Sequence, residues 1–174
     1  MTRGIRLTLA GFLFVLSFSA QARAEDSEVT RRTLTGLQGV RVLVEDLQPN
    51  VRAYAPKAGI TVGQLQQDIE SRLRAAGIRT VAGDDWRRLA GRPILYVNIN
   101  THETERYWYA YDIKVELRQV VSLEVNPKIK TLADTWSINI TGEANIGNLN
   151  ILRKDALALV EGFVRAYQSV NGPK

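Results

Sequence analysis

The stretch YWYAYDIKVELRQVVSLEV, residues 107–125, is a long alternation of apolar and polar side chains. One parity is almost wholly apolar: Tyr107, Tyr109, Tyr111, Ile113, Val115, Leu117, Val121, Leu123 and Val125. The other parity is mostly polar: Trp108, Asp112, Lys114, Glu116, Arg118 and Ser122. A period of two predicts a strand with one buried and one solvated face. A straight strand of this length would span about 60 Å, so we expect a bend or bulge, for which Gln119, the polar residue on the apolar parity, is the favoured place.

Two shorter segments on either side alternate in the same way. Ile94–Asn100 places Leu95, Val97 and Ile99 on one face, and Thr135–Thr141 does the same with Trp136, Ile138 and Ile140. The polar segments 101–106 and 127–132 predict the connections between these strands. Three consecutive strands with short connections indicate an antiparallel meander.

The clearest predicted helix covers Val62–Ala76, where apolar residues recur at helical spacing. Thr61 is a candidate N-cap, with Gln64 as the reciprocal partner of a capping box. Gly77 follows at the position of a left-handed C-terminal cap. A second helix is predicted to begin after Asn150, which is its candidate N-cap. Its apolar stripe consists of Leu152, Ala156, Leu159, Val160, Phe163, Tyr167 and Val170.

The first helix lies between two predicted strands, Gly39–Glu45 and the short Ile78–Val81. A strand, helix, strand order favours a right-handed crossover and a parallel pair. Together with the meander and the closing helix, this order predicts an α+β fold. We expect a two-layer sandwich with one mixed, mostly antiparallel sheet of about five strands and two helices on one face.

The N-terminus has the features of a secretory signal peptide. Arg3 and Arg6 are followed by an almost unbroken apolar run over 7–20, and Ala22 and Ala24 occupy the positions that a signal peptidase recognises. The run is shorter than the roughly 20 residues that a spanning helix needs. Cleavage after Ala24 is therefore favoured over an uncleaved anchor, with cleavage after Ala22 as a weaker alternative.

Cleavage predicts three segments: a signal peptide over 1–24, a flexible polar lead-in over 25–36 and a single α+β domain over 37–174. The mature protein would lie in the periplasm or outside the cell, with no membrane span left. Removal of the three leader arginines, Arg3, Arg6 and Arg23, lowers the formal net charge from +5 to +2. Such a mixed surface does not predict nucleic-acid binding.

The composition argues against most catalytic chemistry. The chain has no cysteine and His102 is its single histidine, which disfavours thiol catalysis and a structural zinc site. No serine lies in a G-x-S-x-G turn, and the glycines form no phosphate-binding pattern. We therefore predict no catalytic residue, no metal ligand, no cofactor and no enzyme. A hydrolase based on carboxylates such as Asp84 and Asp85 is the least favoured alternative.

A binding surface is the remaining candidate for function. Trp108 on the polar face of the long strand, with Tyr96 and Asn98 on a neighbouring strand, predicts an aromatic platform for a protein, peptide or glycan. The simpler interpretation of Tyr107, Tyr109 and Tyr111 is that they line the edge of the core. The loop over 46–59 is a second candidate contact, and an open sheet edge could accept a strand from a partner.

The stretch Val115–Gln119, followed by Thr135–Ser137 and a closing amphipathic helix, resembles small secreted bacterial proteins of unassigned function. The element order is also distantly similar to small α+β domains of cell-envelope assembly proteins, such as the N-terminal domain of the propeller protein of the Tol-Pal system. This resemblance implies a protein-interaction or envelope-assembly accessory module with an envelope protein as partner. A module that binds a small ligand or glycan is the alternative, and the oligomeric state stays open.

Overall fold

The computed structural model describes residues 26–172, so the predicted signal peptide, with Ala22 and Ala24, lies outside the described part. No helix within this part is long and apolar enough to cross a membrane. In chain order the elements are α1 (Glu28–Arg32), β1 (Arg41–Val44), α2 (Pro49–Arg52), α3 (Val62–Ala75), β2 (Ile94–Glu105), β3 (Trp108–Leu123), β4 (Asn126–Asn145) and α4 (Asn150–Asn171). Short 3-10 turns occupy Ala55–Ala58 and Asp85–Arg88.

The fold is α+β, with one mixed sheet in the order β1-β2-β3-β4. β1 runs parallel to β2, and the other neighbours are antiparallel. The prediction of about five strands is wrong. The segment over 78–81 makes one isolated parallel bridge, between Val40 and Thr80, and does not extend into a strand. The described part also has four α-helices instead of two, since α1 and α2 each form a short turn.

The meander is longer than its alternation suggests. β2 continues to Glu105 and β4 begins at Asn126, so most of the predicted connections over 101–106 and 127–132 is strand. These segments escape the pattern because both of their faces are largely exposed and need no apolar residues. The β3–β4 register shifts between Leu117 and Arg118, close to the predicted position at Gln119, and the extra residue is Thr135 on β4.

The two long helices begin and end for different reasons. At α3 the Thr61 side chain accepts a hydrogen bond from the Gln64 backbone N–H, and Gly77 follows with a φ of +76°. The prediction of Asn150 as the N-cap of α4 is wrong by one residue. Leu149 occupies the cap position without a side-chain hydrogen bond, and Asn150 is the first helical residue.

The core lies between the helices and one face of the sheet. Leu65, Ile69 and Leu73 of α3 and the predicted stripe of α4 pack against the apolar parity of the strands. Trp136 of β4 is completely buried, as its parity predicts, and its ring lies 5.3 Å from that of Phe163. The apolar parity therefore fixes which sheet face the helices cover.

The segment expected to be a flexible lead-in is folded onto this core from Asp26 onwards. Ser27 and Thr30 form a capping box at α1, and Leu34 is fully buried. Asn171, at the end of α4, receives a hydrogen bond from the Gly36 N–H and donates one to the Leu34 carbonyl. The polar composition of this segment does not reveal the contact, because Leu34, its buried apolar residue, lies among polar neighbours in the sequence.

Candidate functional site

The sheet face opposite α4, here called the open face, presents polar side chains from three strands. The side chains that define it are Tyr96, Asn98, Asn100 and His102 of β2, Trp108, Ala110, Asp112, Lys114, Glu116 and Arg118 of β3, and Ser137, Asn139, Thr141 and Glu143 of β4. Most are half-buried or exposed, because they pack against one another along the pleat. The polar parity of the long strand therefore faces away from the core, as the alternation predicts.

Glu116 is at the centre of a charge cluster on this face. Its side chain is only 5% exposed and pairs with the Lys114 ammonium and with Arg118 Nη2, the latter at 2.8 Å. Arg118 also reaches Asp134 Oδ1 at 3.0 Å, and its guanidinium lies 3.6 Å from the centre of the Tyr96 ring. A shielded carboxylate with two cationic partners fixes the positions of both cations.

Tyr96 and Asn98, two residues of the predicted platform, share one acceptor. The Tyr96 hydroxyl and the Asn98 side-chain amide both donate to Oε2 of Glu45, just beyond β1. Burial and the hydrogen bond to Glu45 raise the pKa of the Tyr96 phenol. Within residues 26–172, the buried Asn98 Oδ1 has no hydrogen-bond partner. These two residues are thus held rigidly at the β1 end of the open face.

Trp108 lies on the same face but far from Tyr96. Tyr96 pairs with Glu116, eight residues along β3 from Trp108, a separation of roughly 27 Å at the usual rise of a strand. The Trp108 side chain is 46% exposed and stands next to the turn between β2 and β3. The structure therefore divides the predicted platform into two separate surfaces.

A shallow depression of about 540 Å³ lies beside Trp108, and sequence reasoning missed it. Ala110, two residues further on the same face, forms its floor, with His102 opposite on β2 and Glu143 opposite on β4. Its lining also includes Tyr111, Gly142 and residues with polar side chains: Asn100, Thr101, His102, Asp112, Thr141 and Glu143. The sequence feature that could have indicated the depression is Ala110, a small residue on a strand face whose other residues have large side chains.

The loop over 46–59 closes the same end of the sheet. Gln48 Nε2 donates to Asn100 Oδ1 on the rim of the depression, and Asn50 Nδ2 donates to the Thr101 carbonyl. The Tyr109 hydroxyl reaches the Asn50 carbonyl at 3.3 Å. This loop, the second predicted contact, is therefore fixed next to the Trp108 end of the open face.

The tyrosines on the apolar parity have structural surroundings. Tyr109 and Tyr111 are buried in the core, as the simpler interpretation predicts. The Tyr111 hydroxyl donates to Asp155 Oδ2 at 2.6 Å, and burial, followed by this contact, raises its pKa to about 12. Tyr107 instead occupies the turn, with a φ of +69°, and meets Tyr54 edge to face.

No group of three acidic, histidine or cysteine side chains suited to a metal ion occurs in the described residues. The chain matches no known protein family and none of the curated proteins.

Proposed function

We propose that the protein is a non-enzymatic, two-layer α+β module that binds a protein partner through the open face. The observation that carries this proposal is the charge cluster at Glu116. Its ion pairs and the Arg118–Tyr96 stack hold polar groups in fixed positions while leaving Arg118 and Lys114 partly exposed. A preorganised polar surface binds with less loss of side-chain entropy than a mobile one.

We infer that the protein is exported, on the sequence features of residues 1–24. Asp26 already hydrogen-bonds to Trp136, and the proposed cleavage after Ala24 leaves only Glu25 ahead of it. Cleavage at this position would keep the hydrogen bond between Asp26 and Trp136 in the mature protein. On this basis the module works in the periplasm or outside the cell, and an envelope protein is the partner that we infer, in keeping with the distant similarity to envelope-assembly domains.

The mixed charge of the open face suits a protein surface better than a nucleic acid. Lys114 and Arg118 stand among Asp112, Glu116 and Asp134, so neither sign dominates. Alternating charges favour a partner with a complementary pattern and select against others. The partner would therefore be recognised by charge pattern and shape.

The test is capture of partners from an envelope extract with a variant that blocks the open face. Thr141 is exposed near the middle of this face, so Thr141→Arg places a long cation there with little effect on the core. Gln64→Arg, on the exposed side of α3, is the matched control. We expect one protein to be captured by the native chain and the control but not by Thr141→Arg. Equal capture by all three would refute the assignment of this face.

A module that binds a glycan or small ligand is the second candidate, and the depression at Ala110 favours it. Trp108 offers an exposed ring two residues from Ala110 on the same face, and the depression holds polar side chains that can bond hydroxyl groups. Ala110→Leu would fill part of the depression and leave Trp108 itself in the chain. Binding of a glycan that both Ala110→Leu and Trp108→Ala abolish would establish this function, and binding unaffected by Ala110→Leu would contradict it.

A further inference from the structure

The hairpin of β3 and β4 projects beyond the rest of the sheet. Pairing of β2 with β3 begins at Ile94 and Arg118, so the residues that follow lack β2 as a neighbour. We call Ser122–Leu132 the arm, because every residue in it is exposed. The last contact at its base is the hydrogen bond from the Val120 N–H to the Gly91 carbonyl, at 2.7 Å.

The arm combines apolar and cationic side chains. It carries four of the exposed large apolar residues, and Val125 at the turn is 94% exposed. The four are Leu123, Val125, Ile129 and Leu132. Lys128 and Lys130 alternate with them, and Arg92 lines the same cleft as Lys130 at the base. A concentration of exposed apolar side chains marks an interaction site.

The charges and size of the arm favour a lipid surface over a protein. Stable protein interfaces use about 20–30 residues on each side, more than the arm offers. Its backbone pairs within the hairpin at Ser122 and Lys130 and again at Leu123 and Asn126, with a register shift between the two pairs. At the paired positions the hairpin needs no other strand to satisfy its backbone groups. Apolar residues at a tip with lysines behind them suit the boundary between acyl chains and phosphates.

We propose that the arm docks onto an anionic membrane surface, with Leu123 and Val125 inserted and with Lys128, Lys130 and Arg92 facing lipid phosphates. Glu124 in the turn is the one acidic residue of the arm and is exposed. Three cations against one anion give the arm and its base a positive balance, complementary to such a surface. This contact is separate from the open face and does not depend on the protein partner proposed above.

Sedimentation with lipid vesicles tests the proposal, using the protein in the form that the producing cell yields. Vesicles contain either phosphatidylglycerol with phosphatidylcholine or phosphatidylcholine alone. We expect binding to the anionic vesicles that weakens with salt. Each lysine near an anionic surface contributes about a fivefold gain in affinity, so Lys128→Glu with Lys130→Glu should weaken binding by at least about 30-fold.

Matched control variants distinguish the effect of charges in the arm from the effect of the protein's net charge. Lys57→Glu with Lys154→Glu makes the same change in charge at exposed positions elsewhere, and Val29→Asp matches Val125→Asp. Both controls should bind like the native chain, whereas Val125→Asp should lose binding with an unchanged melting temperature. Equal losses in the arm and control variants would overturn the proposal. The absence of vesicle binding by the native protein would also overturn it. In that case, conversion of a dimer to a monomer by Val125→Asp would show that the arm contacts a second copy of the chain.

Discussion

Replacing Asp26 by alanine should destabilise the whole domain, although Asp26 is the first residue of the described part. Its Oδ1 accepts hydrogen bonds from Trp136 Nε1 at 2.8 Å and from Arg31 Nε at 2.7 Å. Trp136 is completely buried, so the variant leaves an indole N–H without a partner in the core. An unsatisfied buried donor costs about 1–3 kcal/mol. Because Arg31 is 41% exposed, loss of the ion pair adds at most about 1 kcal/mol.

Asp26→Asn separates the two contributions. The amide keeps an oxygen for the Trp136 N–H but loses the charge opposite Arg31, so we expect a loss of about 1 kcal/mol. The assay is urea unfolding followed by circular dichroism near neutral pH. Glu28→Ala is the control, because Glu28 pairs with Arg32 only on the exposed side of α1 and should change little. If Asp26→Ala unfolded at the same urea concentration as Glu28→Ala, the indole bond would not anchor the N-terminus.

The same carboxylate predicts an acid dependence. The hydrogen bond from Arg31 is the largest influence and holds the pKa of Asp26 below its usual 3.8, although burial opposes it. A lowered folded-state pKa stabilises the fold fully above the unfolded-state pKa, and this stabilisation is lost as the pH falls through the folded-state value. The native protein should therefore lose stability below about pH 4 more steeply than Asp26→Asn. Parallel acid slopes of the two proteins would contradict the role of Arg31.

Three further predictions follow from the β3–β4 region. Gly142→Ala should destabilise the fold by about 1–3 kcal/mol in urea unfolding, because its Cβ would lie 2.4 Å from the Tyr111 hydroxyl; an unchanged midpoint would contradict this packing. Between pH 10.0 and about 12, where the Tyr111 pKa is raised from its unfolded value, the native protein should lose stability as the pH rises, and Tyr111→Phe should lose less, since Tyr96 and Tyr109, whose pKa values are also raised, remain. Trp108→Ala should weaken partner or glycan binding with little change in melting temperature, and a large drop in melting temperature would show that the ring supports the core.

The main strands and helices could be predicted because each has one face in the core and one face in solvent, which produces a periodic pattern of apolar and polar residues. The alternation over 107–125 gave the strand and its buried face, and the shift beside Gln119 lies next to the polar residue on the apolar parity. α3 was predictable from Thr61 and Gly77, which mark its two ends. The extensions of β2 and β4 were not, because exposed strand residues carry no periodic apolar signal.

The sequence predicted which sheet face the candidate site residues occupy, but not how far apart they lie on that face. Parity correctly placed Tyr96 and Trp108 on the same side of the sheet. Their distance depends on the pairing register, which the turn at Tyr107 sets and which local alternation does not encode. The anchoring of Asp26 was missed for a related reason: its partner Trp136 is distant in sequence, and no local pattern links them.

The contacts between the first and the last described segments have a consequence for the order of folding. Asp26 needs Trp136, and Leu34 and Gly36 need Asn171, almost the last described residue. The segment over 26–36 therefore lacks these tertiary contacts until β4 and α4 are in place. Contacts between such distant residues form late and slow folding. Docking of this segment onto the core should thus be among the late steps in folding of the domain.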